Sequence, residues 1–92
     1  MSKLIIPTPL RKFTNNEGSF NSSGSTVREV IHELVSTHDG LKKHLLDDNG
    51  NIRSFVRVYV GEDDIKSLNN DLTPVAQNDI VSIIPAIAGG IA

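Results

Sequence analysis

The sequence contains no cysteine, and this absence removes several kinds of protein from consideration. Without a thiol the chain forms no disulfide, holds no iron–sulfur cluster through thiolates and has no thiol nucleophile. It also lacks any run of the roughly 20 apolar residues that a membrane-spanning helix requires. The N-terminal segment has no long apolar stretch of the signal-peptide kind, so we expect a cytoplasmic protein that does not enter a membrane.

An excess of charge of one sign is missing as well. Nine Lys and Arg residues stand against eleven Asp and Glu residues, which gives a formal net charge of -2. A balance so close to neutral gives no electrostatic basis for binding nucleic acid or an anionic membrane. We therefore expect neither of them as a partner.

Motifs that carry catalysis or bind metal ions are equally scarce. The sequence has no glycine-rich phosphate loop, no Ser/His/Asp set and no zinc motif. His32, His38 and His44 recur every six residues, a spacing that does not place them on one helix face, and we expect solvated or capping side chains. We predict that the chain is not an enzyme, with no catalytic residue, no metal ion and no cofactor bound by the chain itself.

One segment shows strong helical signals. Thr26 is placed to act as an N-cap, and Glu29 three residues later completes the capping-box pattern. Apolar residues then recur at helical spacing and form one stripe, which consists of Val27, Val30, Ile31, Leu34 and Val35. We expect a helix of about 12–14 residues that is stopped by Gly40. Its apolar stripe needs a sheet or another helix to pack against.

Strand signals flank this helix. Residues 3–6 and 19–22 predict a hairpin, and the low hydrophobicity of its second strand indicates a sheet edge. Residues 52–60 predict the best-defined strand of the chain. Alternation along it places Phe55, Arg57 and Tyr59 on one face and three valines on the other.

The order of the remaining elements indicates the fold class. A short return strand is expected near Ile65, and a final strand over residues 80–84 with Val81 and Ile83 pointing inward. One main helix and four to five strands in 92 residues indicate a single α+β domain, a mixed sheet packed on one helix.

The last ten residues, IIPAIAGGIA, form an unusual end. Pro85 has no N–H to give to a sheet, so we expect the final strand to stop there. Gly89 and Gly90 have no side chain, and bare backbone fits a narrow channel that larger residues would block. Extended chain from Pro85 to Gly90 spans up to roughly 20 Å, enough to carry this end into another protein's active site. The alternative is a terminus without function.

Two segments together carry a resemblance to a known family. Residues 78–90, NDIVSIIPAIAGG, and residues 55–65, FVRVYVGEDDI, resemble the ubiquitin-like sulfur carriers of the MoaD/ThiS family, and most of all its CysO-type subgroup, which serves cysteine biosynthesis. The resemblance extends over nearly the whole chain and implies a β-grasp fold. We expect a β-grasp domain over residues 1–85 and a flexible tail over residues 86–92.

The resemblance implies a function for the tail. Such a carrier bears a C-terminal thiocarboxylate on its last glycine, here Gly90, with Gly89 and Ala88 giving access to the partner's channel. Most members of the family finish on the second glycine, whereas Ile91 and Ala92 follow here. The resemblance therefore implies cleavage of the bond between Gly90 and Ile91 by a JAMM-type zinc metalloprotease.

Two further partners follow from the same resemblance. An E1-like adenylating enzyme uses ATP and Mg to activate the free Gly90 carboxyl, and an acceptor synthase, such as a cysteine synthase, receives the sulfur. The candidate residues for docking the ATPase are Phe55, Arg57, Tyr59, Ile84 and Ile87.

Two alternatives keep the fold and change the function. In the first, the protein is a ubiquitin-like modifier that is joined through Gly90 to lysines of other proteins. In the second, it is a non-covalent interaction module with an inert tail. For the docking residues, the alternative is that Phe55 or Tyr59 covers the edge of the core and that Arg57 faces only water.

Overall fold

The computed structural model describes residues 2–85; Met1, residues 86–92 and the side chain of Pro85 lie outside that description. The strands are β1 (Ser2–Ile5), β2 (Ser19–Ser22), β3 (Val56–Val60), β4 (Asp63–Asp64) and β5 (Ile80–Pro85). The helices are α1 (Val27–Thr37) and α2 (Lys42–Leu45). Short 3-10 helices cover Thr8–Phe13, Asp39–Leu41, Ile65–Ser67 and Asn70–Leu72.

The strands of residues 2–85 form one mixed sheet of five, in the order β2-β1-β5-β3-β4. Strand β1 pairs antiparallel with β2 and parallel with β5, while β3 pairs antiparallel with both β4 and β5. The predicted hairpin and the edge position of its second strand are confirmed. Strand β5, which leads to the tail, lies in the centre of the sheet.

Helix α1 begins as its sequence predicts. The Thr26 side chain accepts a hydrogen bond from the Glu29 N–H at 3.2 Å, and the Glu29 carboxylate accepts one from the Ser25 N–H at 2.8 Å. The first bond satisfies a backbone donor that the first turn of a helix leaves unpaired, and the second joins the residue before the N-cap to the same turn. In the usual capping box the acidic side chain accepts from the N–H of the N-cap residue itself. Here Glu29 accepts from the residue before the N-cap.

The end of α1 differs from the prediction. The helix ends at Thr37 with His38 as C-cap, and Gly40 lies inside the following 3-10 helix rather than stopping α1. Gly40 instead lies close to an aromatic ring, because a Cβ there would lie 3.1 Å from Cδ1 of Phe13. The glycine admits the Phe13 ring instead of supplying a left-handed cap.

The core lies between α1 and one face of the sheet. The apolar stripe predicted for the helix is buried in full. The sheet contributes to the core the strand residues that point toward the helix, among them Leu4, Val56, Val58, Val81 and Ile83. The inward direction predicted for Val81 and Ile83 is confirmed, and these findings together confirm an α+β domain with one main helix.

Two strand boundaries were predicted wrongly. Strand β3 starts at Val56, and Ile52 makes only an isolated bridge with Leu46. The backbone N–H of Arg53 donates to the Leu45 carbonyl at 2.9 Å, so this segment pairs with the end of α2 instead of with a strand. The return strand β4 ends at Asp64, whose carboxylate accepts from the Lys66 N–H at 2.9 Å and caps a 3-10 helix that starts at Ile65.

Two of the three histidines are not solvated as expected. The Nε2 atoms of His32 and His44 are buried, and neither has a hydrogen-bond partner among the described residues. The His44 ring packs on the Phe13 ring with centroids 4.6 Å apart. The burial of these two atoms could not be derived from the spacing of the histidines in the sequence.

Candidate functional site

The face of the sheet that points away from α1 is the candidate site, and we call it the outer face. In strands β3 and β5 the buried residues Val58 and Ile83 alternate with residues that point the other way. Sequence alternation had predicted this separation. The residues of these two strands on the outer face are Arg57, Tyr59, Ile80, Ser82 and Ile84.

Strand register brings three of the predicted docking residues together. Arg57 lies directly opposite Ile84, and Tyr59 lies opposite Ser82. Directly opposed residues of antiparallel strands have Cβ atoms about 4.5–5.5 Å apart, so their side chains form one continuous patch. Ile84 is 50% exposed, which is unusual for a large apolar side chain in a central strand.

Arg57 is held by a partner that the sequence did not identify. Its Nη1 lies 3.7 Å from the Oδ2 of Asp64 in β4. Asp64 pairs in register with Tyr59, so the ion pair crosses diagonally between β3 and β4. An exposed pair of this kind contributes at most about 1 kcal/mol to stability. Only the β3–β4 register could have revealed the pair.

Phe55 lies at the edge of this patch rather than within a strand. It occupies a turn directly before β3, and 47% of its surface is exposed. The Arg53 guanidinium carbon lies 6.0 Å from the ring centroid, at the limit of a cation–π contact. Phe55 therefore does not cover the core, although the strand that was predicted to orient it starts one residue later.

The geometry also fixes where the chain leaves the sheet. Strands β1 and β5 are parallel, so both end at the same edge, and Pro85 lies opposite Val56 at the start of β3. The other predicted site residues lie outside the described residues; they are Ile87, Ala88, Gly89, Gly90 and Ile91. Their roles remain predictions.

Residues 2–85 offer little else for chemistry. They contain no group of three or more His, Asp or Glu residues placed to hold a metal ion. In the same range no helix combines the length and apolar character needed to cross a membrane. A surface cleft of ≈ 820 Å³ lies between α1 and the loop that follows α2, lined by charges of both signs.

Comparisons with known proteins agree with this geometry. The chain is 37% identical over 87 residues to the sulfur carrier protein CysO of Mycobacterium tuberculosis, covering 92% of this chain and 94% of that protein. It is 32% identical over 66 residues to small archaeal modifier protein 3 of Haloferax volcanii, which covers 72% and 71% of the two chains.

A solved structure confirms the β-grasp fold. The crystal structure of the Amycolatopsis orientalis BexX/CysO complex contains a chain that superposes with a TM-score of 0.88 at 34% identity, covering 98% of this chain and all of that one. The sequence profile of the ThiS family matches residues 4–90, nearly the full length. From fold, strand order and this match together, the chain belongs to the ThiS family.

Proposed function

We propose that this protein is a sulfur carrier whose Gly90 carboxyl is converted to a thiocarboxylate. The observation that carries the proposal is the family match, which runs from residue 4 to residue 90 and so includes both glycines of the tail. A relative with 37% identity is named a sulfur carrier protein, which supports the same role. The absence of cysteine from the sequence fits a carrier whose sulfur sits on the main-chain terminus.

The first step is removal of Ile91 and Ala92. In the full sequence the Gly90 carbonyl forms the peptide bond to Ile91 and is therefore not a free carboxylate. Hydrolysis of this bond by a JAMM-type zinc metalloprotease releases the dipeptide and leaves a free carboxylate on Gly90.

The second step is activation of that carboxylate, which is a poor electrophile because its charge repels nucleophiles. In an E1-like ATPase, a carboxylate oxygen of Gly90 attacks the α-phosphorus of ATP bound with Mg, and pyrophosphate leaves. A sulfur donor at the oxidation level of sulfide then attacks the acyl carbon, and AMP leaves with the bonding electron pair. The product is the thiocarboxylate.

The folded domain contributes position rather than chemistry to these steps. The ATPase supplies the charges that stabilise the transition state, and the carrier presents a terminus of fixed direction. Side chains at Gly89 or Gly90 would collide with a channel that fits bare backbone. This division explains why the carrier needs no acid, base or metal ion of its own.

Docking of the ATPase falls to the outer face at the edge where β5 ends. Ile84 supplies exposed apolar surface in the central strand, and Phe55 supplies more beside the start of β3. Arg57, whose guanidinium lies 3.7 Å from the Asp64 carboxylate, is opposite Ile84 and adds a positive charge. An apolar centre with a polar rim is the usual composition of a protein interface. Tyr59 and, in the tail, Ile87 extend this surface.

The acceptor of the sulfur is a biosynthetic enzyme that makes cysteine or a related thio-metabolite. Our candidate is a cysteine synthase, which the resemblance to CysO-type carriers implies. Choice of acceptor lies with that enzyme, because the carrier's tail has no side chain at its reactive end.

Mass spectrometry of the intact protein tests the proposal. Incubation of the 92-residue chain with the JAMM-type metalloprotease of the same organism should yield a product that ends at Gly90. Addition of the E1-like ATPase, Mg-ATP and a sulfide donor should then exchange one oxygen for sulfur. An unchanged mass after the first step, or failure to gain sulfur after the second, would contradict the proposal.

The variant Gly90→Val provides the matching control in the trimmed form. Its folded domain is unaltered, so its thermal unfolding should match that of the unsubstituted protein. ATP–pyrophosphate exchange should be lost, because a branched side chain blocks the channel. Normal exchange by this variant would contradict the argument from bare backbone.

A second candidate function is conjugation to lysines of other proteins through Gly90. The observation that favours it is the 32% identity to small archaeal modifier protein 3. Isopeptide-linked adducts in extracts of the native organism would support the modifier, whereas a thiocarboxylate without such adducts would support the carrier.

A further inference from the structure

Three cations gather at the edge of the domain where the chain leaves the sheet. Lys12 belongs to the 3-10 helix that follows β1, and β1 ends at the same edge as β5. Arg53 precedes Val56 by three residues, so its Cα lies within about 11 Å of the residue opposite Pro85. Lys43 lies in α2 and is joined to Arg53, whose Nε donates to the Lys43 carbonyl at 2.9 Å. We call Lys12, Lys43 and Arg53 the basic cluster.

A pair of packed rings joins two of the segments that carry these cations. The Lys12 Nζ lies 5.2 Å from the centroid of the Phe13 ring, and that ring packs against His44. His44 neighbours Lys43 in α2. Three separate segments of the chain thus bring their cations around one pair of rings.

The His44 ring reports the charge of its surroundings. Burial lowers the pKa of His44, and the positive charges of Lys43, Lys12 and Arg53 lower it further. The charges that lower this pKa come from three different segments of the chain, and all three are positive. Positive charge is thus concentrated around this ring, although the chain as a whole carries a formal net charge of -2.

The ion pairs found within residues 2–85 involve Arg28 and Arg57 and no member of the basic cluster. Three aspartates, Asp39, Asp47 and Asp48, line the adjoining cleft together with Lys43 and Arg53. The Asp47 carboxylate is bound to backbone N–H groups of its own loop, at 2.9 Å from Asn49 and 3.0 Å from Asn51.

We propose that the basic cluster docks against an acidic rim at the entrance of the active site in which the E1-like ATPase receives the tail. The inference rests on the proposed function, because an enzyme that takes the tail must lie against the edge from which the tail departs. Charges on the rim of an interface steer the encounter and fix its orientation more than they tighten the final complex. The basic cluster would thereby align the carrier so that its terminus meets the channel.

Charge reversal of the two lysines tests this inference. Lys12 and Lys43 are both exposed, so Lys12→Glu/Lys43→Glu should fold, and Lys12→Gln/Lys43→Gln provides a milder version. The matched control is Lys3→Glu/Lys66→Glu, which changes the net charge by the same amount at exposed positions outside the cluster. Thermal unfolding of each variant checks the fold, and the glutamine pair carries the test if the glutamate pair is destabilised.

The measurement is ATP–pyrophosphate exchange by the E1-like ATPase, with the carrier trimmed to Gly90 as the varied substrate. At about 50 mM NaCl the reversal should raise the KM for the carrier about 10-fold and the neutralisation about 3-fold, with kcat unchanged. At about 500 mM NaCl both effects should shrink toward 1-fold because salt screens the charges. The KM of the control pair should stay within about 2-fold of the unsubstituted value at both salt concentrations.

The possible outcomes separate the two proposals. Suppose that the unsubstituted carrier supports exchange. If the charge reversal then leaves the KM unchanged, or if the control pair raises the KM equally, the inference is overturned and the proposed function stands. Absence of exchange with the unsubstituted carrier would overturn both. Loss of binding to a fluorescein-labelled single-stranded oligonucleotide by the reversed variant, with exchange unaffected, would assign the cluster to nucleic acid and overturn the inference.

Discussion

Replacement of Ile84 by alanine should weaken recognition of the carrier by the E1-like ATPase, whereas the same replacement at Ile80 should not. Both isoleucines lie on the outer face of β5, and they are 50% and 48% exposed. Ile84 lies opposite Arg57 near the edge where the tail begins, and Ile80 lies opposite Lys3, about 13 Å further along the strand. The pair is matched in residue type, strand and exposure, and differs in position.

The size of the effect follows from the exposure of Ile84. Burial of a whole isoleucine side chain contributes about 1.5–3 kcal/mol. Half of this side chain is already covered in the free protein, so full coverage on docking would contribute about 1 kcal/mol more. Loss of that contribution corresponds to about a 5-fold weaker complex.

The assay is the KM for trimmed carrier in ATP–pyrophosphate exchange, accompanied by urea unfolding of both variants. Loss of a β-branched residue from a strand costs each variant up to about 1 kcal/mol of stability, and the two losses should be similar. An equal rise in KM for Ile80→Ala, or no rise for Ile84→Ala, would refute the assignment of the docking surface to the tail end of the outer face.

Three further variants test other parts of the structure. Phe55→Asp should raise the KM for the ATPase at least as much as Ile84→Ala without lowering the unfolding temperature, while Leu72→Asp, at another exposed apolar position, should change neither. Thr26→Ala removes the N-cap of α1 and should lower the free energy of unfolding in urea by about 1 kcal/mol; Thr37→Ala, in the last turn, should cost less than half as much, and equal losses would contradict the capping assignment. Because folding lowers the pKa of His44, the imidazole of the unfolded chain binds a proton at a higher pH than that of the folded chain. The contribution of neutral His44 to the free energy of unfolding is therefore fully present above about pH 6.5 and is lost as the pH falls toward the lowered pKa of the folded state. The free energy of unfolding should therefore fall on acidification from about pH 7.5 to about pH 5, and less so in His44→Asn; an identical pH dependence in the variant would exclude His44 as a source.

The sequence predicted those elements whose signals are local. Thr26 and Glu29 lie three residues apart and mark the start of α1 without reference to the rest of the chain. The separation of Arg57 and Tyr59 from the buried valines follows from strand alternation alone, and so does the inward direction of Val81 and Ile83. For these residues, propensity, periodicity and tertiary packing favour the same structure.

Most of the wrong predictions depended on partners distant in sequence, whereas the end of β4 is set locally by the Asp64 cap. Residues 52–55 have a strand-like composition, but among the described residues the pairing of β3 with β5 ends where Val56 meets Pro85. In this segment the backbone N–H of Arg53 therefore donates to the carbonyl of Leu45 in α2. The basic cluster was missed for the same reason, since its three cations come from segments that only the folded topology brings together.

The central position of β5 has a mechanical consequence. An enzyme that grips the tail pulls along the axis of this strand, which is bonded on one side to β1 and on the other to β3. Hydrogen bonds between strands run across the strand direction, so such a force loads both rows in shear and must break many bonds at once. An edge strand would instead peel away one bond at a time. Under the proposed function, partner enzymes therefore pull on the strand that is hardest to extract from the sheet.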